Sequence, residues 1–203
     1  MPRYLRVVWL LLGLGSLVAL VLLLLLPADW EVERETVIHA PPEAIWDYLV
    51  DLRRWESWSP WREGDYEGLR FEYTQDSRGT GAELRWSSEA TGDGRLRITE
   101  TEPPRRLELL MEMQEGTIVT REILVLQPLT GGRTRVQWHD RGTLGHTLLG
   151  RLSLPVIEES MGRDLSRGLQ DLREVVEGAD SGTAEPNQSP EPAESGLPQR
   201  DAT

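Results

Sequence analysis

Residues 32–61 read VERETVIHAPPEAIWDYLVDLRRWESWSPW, and the changes of pattern inside this stretch set the fold. Around it, residues 30–40 alternate apolar and branched side chains with charged ones and have no helical period, which makes them a strand. Ala40-Pro41-Pro42 ends that strand. A proline in the first helical turn followed by Glu43 opens a helix, and Ile45, Trp46 and Leu49 form its apolar stripe up to about Val50. A second short helix over residues 52–55 leads into WESWSPW, residues 55–61, which crowds three of the eight tryptophans into one turn. Each tryptophan can bury on the order of 150–250 Å².

Downstream, from about Tyr66 to Gly142, the period is that of short strands. Leu69, Phe71 and Tyr73 alternate, as do Ala82, Leu84 and Trp86, then Leu96 and Ile98, then Leu107, Leu109, Met111 and Met113, and finally Val136 and Trp138. Turn signals separate them at Ser77-Arg78-Gly79, Gly92-Asp93-Gly94, Pro103-Pro104, Glu115-Gly116 and Gly131-Gly132. Connections of hairpin length predict an antiparallel meander with one apolar face. Residues 118–126 are apolar on both parities; we place Leu124 and Leu126 inward. Beyond Gly142 the spacing becomes helical. Leu144, Leu148, Leu149 and Leu152 precede Pro155, after which Ile157, Met161, Leu165, Leu169, Leu172 and Val176 recur on one face of a long amphipathic helix. Gly168 lies near that stripe, where a missing side chain permits close approach to the sheet. Residues 178–203 are rich in Glu, Pro, Ser and Gly and cannot offset their own ordering entropy, so they form an acidic tail expected to be disordered.

Upstream, residues 7–26 are apolar or small and uncharged, and about 20 residues at roughly 1.5 Å each span the ~30 Å hydrocarbon core of a bilayer. The run exceeds the ~7–15 residue core of a cleaved signal peptide, and Pro27-Ala28-Asp29 is a poor cleavage site. One N-terminal transmembrane helix is therefore expected. Arg3 and Arg6 precede it and Asp29, Glu31 and Glu33 follow, which puts residues 1–6 in the cytoplasm and the domain, residues 30–177, on the periplasmic or extracellular side of a cell membrane. Gly15-x-x-x-Ala19 is a small-x-x-x-small pair through which two such helices could form a weak homodimer.

Composition narrows the function. The balance of 22 Lys+Arg against 34 Asp+Glu gives a formal charge of −12, which repels phosphate backbones and excludes nucleic acid as a partner. All the basic residues are arginine and they are scattered; there is no cysteine, hence no disulfide, thiolate or zinc-thiolate site. The chain carries no G-x-S-x-G elbow, phosphate-binding glycine loop, H-E-x-x-H or calcium loop. Gly13-x-Gly15 lies inside the apolar run and has no nucleotide meaning. His39, His139 and His146 are too dispersed to define a metal site.

The order strand, two short helices, six strands and long helix is that of an α+β helix-grip fold, in which a curved antiparallel sheet wraps the C-terminal helix. The stretch quoted at the outset resembles the opening of the START-like SRPBCC superfamily, the polyketide cyclase/dehydrase and lipid-transport group, with its "APPE" turn and W-x-x-W-x-P-W ending. Gly79-Thr80-Gly81-Ala82, Ile98-Thr99-Glu100 with Glu102-Pro103, Thr134-Arg135-Val136-Gln137-Trp138, and Gly168-Leu169-Gln170-Asp171-Leu172 before Glu177 match later family positions in order.

The resemblance implies a pocket between sheet and helix for a hydrophobic small molecule, such as a lipid, isoprenoid or polyketide-like ring system, with no cofactor. Its implied lining is Trp58, Trp61, Phe71, Trp86, Ile98, Glu100, Leu109, Met111, Trp138, Met161 and Leu165. The residues alone allow a filled core at the same positions. Glu100 is the catalytic candidate: if Leu96 and Ile98 face inward, alternation turns Glu100 inward too, with Glu102 at the mouth. A carboxyl in an apolar cavity has a raised pKa and can hold or transfer a proton. A cyclase or dehydratase using Glu100 is thus the enzymatic alternative, and a module that holds a partner protein without any ligand is the third reading. A polar pair converging inside the pocket would favour the enzyme, a lone Glu the binder.

Overall fold

The computed structural model describes residues 2–25, 29–62, 67–89, 92–143 and 148–182, with residues 6, 19, 22–25, 148–149 and 180–182 described by backbone alone. The elements are α1 (Arg3–Leu25), β1 (Asp29–Ile38), α2 (Pro42–Leu49), a 3-10 helix (Leu52–Ser57), β2 (Arg70–Tyr73), β3 (Glu83–Ser87), β4 (Gly94–Glu102), β5 (Arg106–Met113), β6 (Ile118–Leu129), β7 (Arg133–Thr143) and α3 (Leu148–Gly182). The strands form one antiparallel sheet of seven in the order β1-β7-β6-β5-β4-β3-β2. The meander β2 to β7 follows chain order, and β1 closes its free edge by pairing with β7.

Strand alternation sorts the side chains. Trp30, Val32 and Ile38 of β1, Leu124 and Leu126 of β6, and Val136 and Trp138 of β7 are buried on the concave face. On the opposite face Glu31 pairs with Arg141 at 2.6 Å and Glu33 with His139 at 3.4 Å. α3 crosses the concave face with Leu165, Leu169, Leu172 and Val176 buried beneath it, as its sequence period predicts. At the far end of β1, the His39 backbone N–H and ring donate to Glu177 of α3 at 2.9 and 3.0 Å. That contact holds the Glu177 carboxyl below its usual range, through the His39 backbone bond first.

The tryptophan-rich segment locks strands, short helices and α3 together. The Trp55 and Trp58 indoles donate to the Leu49 and Tyr48 carbonyls, at 2.9 and 3.3 Å, which satisfies groups that the C-terminal end of α2 leaves open. Trp58 and Trp61 meet the Trp138 ring edge-on, with centroids 5.6 and 6.4 Å away. Gly168 lets α3 descend here: a Cβ on it would stand 2.9 Å from Pro60 and 3.0 Å from Trp138. The close approach inferred from Gly168 is thus made against the tryptophan segment as well as the sheet.

Several boundaries differ from the sequence expectation. α3 starts at Leu148 and carries Pro155 inside it, an interior position at which a proline gives up one intrahelical hydrogen bond. At its other end α3 continues through Gly178 to Gly182; residues 183–203 of the expected tail, Tyr66, Leu144 and His146 lie outside the described residues. The apolar N-terminal run is helical as α1, with Leu26 outside the described residues. Among the described residues no helix is long and apolar enough to cross a membrane.

The seam at Gly168 yields a stability prediction. Gly168→Val must push α3 away from Pro60 and Trp138, and overpacking of this kind costs about 1–3 kcal/mol. Denaturant unfolding followed by tryptophan fluorescence should show the loss; an unchanged midpoint would mean that α3 does not seat on this segment.

Candidate functional site

A cavity of about 230 Å³ lies between the concave sheet, the 55–61 segment and α3. Its walls are Trp55, Trp61, Leu69, Phe71, Tyr73, Leu84, Trp86, Leu96, Met111, Met113 and Met161, with Glu56, Ser59 and Glu122 as further polar members. The cavity persists because the helix and the sheet diverge beyond Trp138: Leu165, Leu169 and Leu172 are fully buried, whereas Met161, one to three turns earlier on α3, faces the open space.

The register of the sheet places this cavity. Trp30 pairs with Gly142, Gly142 with Thr120, Thr120 with Met111, Met111 with Leu96, Leu96 with Leu84 and Leu84 with Tyr73. One row of residues therefore runs across all seven strands from the start of β1 to β2. Met111, Leu96, Leu84 and Tyr73, which line the cavity, sit on the end of the sheet into which α1 leads.

Of the expected lining residues, Trp61, Phe71, Trp86, Met111 and Met161 come together around the cavity. Trp58, Ile98, Leu109, Trp138 and Leu165 are fully buried in the core behind it. Glu100 is a correction: it is exposed, as is Glu102. Between Ile98 and Glu100 the β4–β5 register shifts, so that Ile98 pairs with Leu109 and Glu100 with Glu108. The extra residue, Thr99, reverses the parity of everything after it. Alternation extrapolated through Ile98 therefore points the wrong way.

The buried carboxyls lie elsewhere. Glu122 on β6 and Asp140 on β7 are direct cross-strand partners, 1% and 0% exposed. Trp138 Nε1 donates to Glu122 Oε2 at 3.1 Å and Trp30 Nε1 to Asp140 Oδ1 at 2.5 Å. Trp30 reaches Asp140 by lying across Gly142, where a Cβ would fall 2.1 Å from its ring. Glu122 lines the cavity, and Asp140 Oδ2 has no hydrogen-bond partner among the described residues. Burial, followed for Glu122 by the adjacent Asp140 charge, pushes Glu122 up to about 8 and Asp140 up to about 6, against the smaller opposing effect of the indole donors. At neutral pH the pair therefore holds one proton between its two carboxyls, and it titrates as a unit. The sequence did carry a signal for both residues: with Leu124, Leu126, Val136 and Trp138 inward, the same alternation brings Glu122 and Asp140 inward.

No group of three or more metal-ligating side chains occurs among the described residues. A profile of the family described as polyketide cyclase / dehydrase and lipid transport matches residues 29–177. Among curated proteins none matches in sequence. Several solved structures are similar in fold. A protein from Chromobacterium violaceum is 18% identical over 72% of this chain and 96% of its own, with a TM-score of 0.52. A Helicobacter pylori protein is 12% identical over 73% of this chain and 89% of its own, at 0.56. Truncated norcoclaurine synthase from Thalictrum flavum is 12% identical over 73% of this chain and 93% of its own, at 0.54.

The raised carboxyls make stability depend on pH in a definite direction. Between their ordinary values near 4 and the folded values, the native state binds more protons than the unfolded one. Their contribution is complete below about pH 4 and is lost as pH rises through about 8, by up to about 1.4 kcal/mol per unit for each group. Glu122→Gln keeps an acceptor for Trp138 and should flatten this slope, stabilising the domain most at alkaline pH. Unfolding curves from about pH 5 to 9 test it, and equal slopes in parent and variant would mean that the pair does not titrate in this window.

Proposed function

This chain belongs to the polyketide cyclase/dehydrase and lipid transport family, matched over residues 29–177, and from that premise we propose that it captures an apolar small molecule in the cavity beside Met161 while α1 tethers it to a membrane. The observation that carries the first part is the cavity wall itself: aromatic, methionine and leucine side chains surround a space with three polar residues besides Tyr73, the composition of a site for an apolar ligand.

Support for the tether comes from α1. Its described apolar side chains are exposed throughout, from Val7 at 53% to Val21 at 47%, and an apolar helix that the domain leaves uncovered needs another apolar partner. Arg3 and Arg6 before the run and the acids after it favour a cytoplasmic N-terminus. With residues 26–28 as the whole linker, roughly 10 Å when extended, the tethered domain rides close to the headgroups. The cavity then lies toward the bilayer, since its end of the sheet is the end that follows α1. Leu152 and Val156, exposed one turn apart on α3, offer an apolar contact for the interface at that end.

A second reading, a cyclase or dehydratase, is favoured by one observation: Glu122 borders the cavity with a second carboxyl, Asp140, directly behind it, which puts Glu122 in place of Glu100 as the acid–base group. Loss of turnover in Glu122→Gln with ligand binding retained would mark that chemistry once a substrate is known.

The binding reading is tested with the full chain in nanodiscs. Native mass spectrometry should find an apolar small molecule released with the parent protein, and Met161→Trp should lose it while the unfolding midpoint stays nearly unchanged. A parent free of ligand, together with a cost of about 1–3 kcal/mol for Met161→Trp, would instead describe a filled core. For the tether, a phosphatase fused after Thr203 should be active outside the cytoplasm; activity of a cytoplasm-only reporter at the same site would reverse the orientation.

A further inference from the structure

The cavity is apolar in surface and acidic in charge. Among the described residues its ionisable carboxyls are Glu56 and Glu122, with Asp140 directly behind, and no arginine or histidine lines it. Among the described residues, those that line the cavity with Glu122 or bond the acid pair include no cation: β7 contributes Asp140 and Trp138, β1 contributes Trp30, β2 Tyr73, the 3-10 helix Glu56, and β4, β5 and α3 contribute Leu96, Met111 and Met161. Arg121, His139 and Arg141 stand on the opposite parity of β6 and β7 and face the outer side. Consistently, burial and the neighbouring carboxyl raise Glu122 with only an indole hydrogen bond opposing them, and no charge of opposite sign acts on either acid. Glu122 is 1% exposed and borders the cavity, and Asp140 Oδ2, on the cross-strand neighbour directly behind it, is buried with no hydrogen-bond partner among the described residues.

A buried negative charge without a partner is costly, and the cost is relieved by a cation that brings its own hydrogen-bond donors. The site is too poor in oxygen ligands for a divalent metal, which takes six or so. An ammonium needs far fewer, and the faces of Trp61, Phe71 and Trp86 attract the same charge. We propose that the cavity selects ligands that join an apolar, ring-sized body to one protonated amine, with Glu122 as the ammonium acceptor and Asp140 adding negative charge directly behind it. This rests on the reading of the cavity as a ligand site and names the class of molecule that the site takes.

Three isosteric probes separate the two ideas: naphthylethylamine, naphthylethanol and naphthylacetic acid, titrated calorimetrically into the full chain in nanodiscs with empty nanodiscs subtracted. At about pH 8 the amine should bind at least about tenfold tighter than the alcohol, and the acid more weakly than either. The advantage should shrink toward about pH 6 as Glu122 takes up its proton, a measurement made on the parent chain alone. Glu122→Gln should erase the preference for the amine and leave the alcohol bound. Equal binding of amine and alcohol, or a preference that ignores pH, would overturn the amine proposal and leave the cavity reading standing. Failure of all three probes to bind would remove the cavity reading and the proposal with it.

Discussion

Everything in this domain leans on the side chain of Trp138. Its ring is the surface against which Trp55, Trp58 and Trp61 pack, the floor that Gly168 approaches, and its N–H donates to Glu122. A single aromatic on β7 thereby joins the sheet, the segment after α2, the terminal helix and the acidic end of the cavity. A large rigid ring does this well because it loses little side-chain entropy for the area it buries, and because its polar edge meets a partner instead of being stranded.

The same neighbourhood holds the principal energetic conflict of the fold. Two carboxyls stand side by side in the core, where packing alone would favour two apolar residues. Two indole donors and a shared proton reduce the cost without removing it. Sites that keep such groups despite the penalty are commonly functional, and here the carboxyl bordering the cavity is also the one raised further. A filled core would have no use for an acid at that point; a pocket that must distinguish one end of its ligand from the other does.

Topology then orients the site. The row from Trp30 across to Tyr73 follows from antiparallel pairing with short turns, and it ties the cavity to the end of the sheet that follows α1 in the chain. α1 precedes β1 in the chain, and the cavity lies at the end of the sheet where β1 begins.

The local pattern of residues 32–61, the alternation from Leu69 to Trp138 and the helical stripe from Ile157 to Val176 determined the element order, because periodicity and turn chemistry are short-range properties of a chain. Alternation also determined that Glu122 and Asp140 face inward once Leu124 and Trp138 do. Three things were decided only by the tertiary structure. The shift at Thr99 sent Glu100 to solvent, and bulges arise from pairing between strands, which no single strand encodes. Register made neighbours of Glu122 and Asp140 and moved both pKa values, an effect of burial and proximity that neither residue carries by itself. The divergence of α3 from the sheet beyond Trp138 divided the apolar residues into core and cavity: Ile98, Leu109 and Leu165 pack solidly while Met111 and Met161 border open space. Hydrophobicity tells which side chains leave water, but the shapes of the elements that cover them decide whether they meet each other or a ligand.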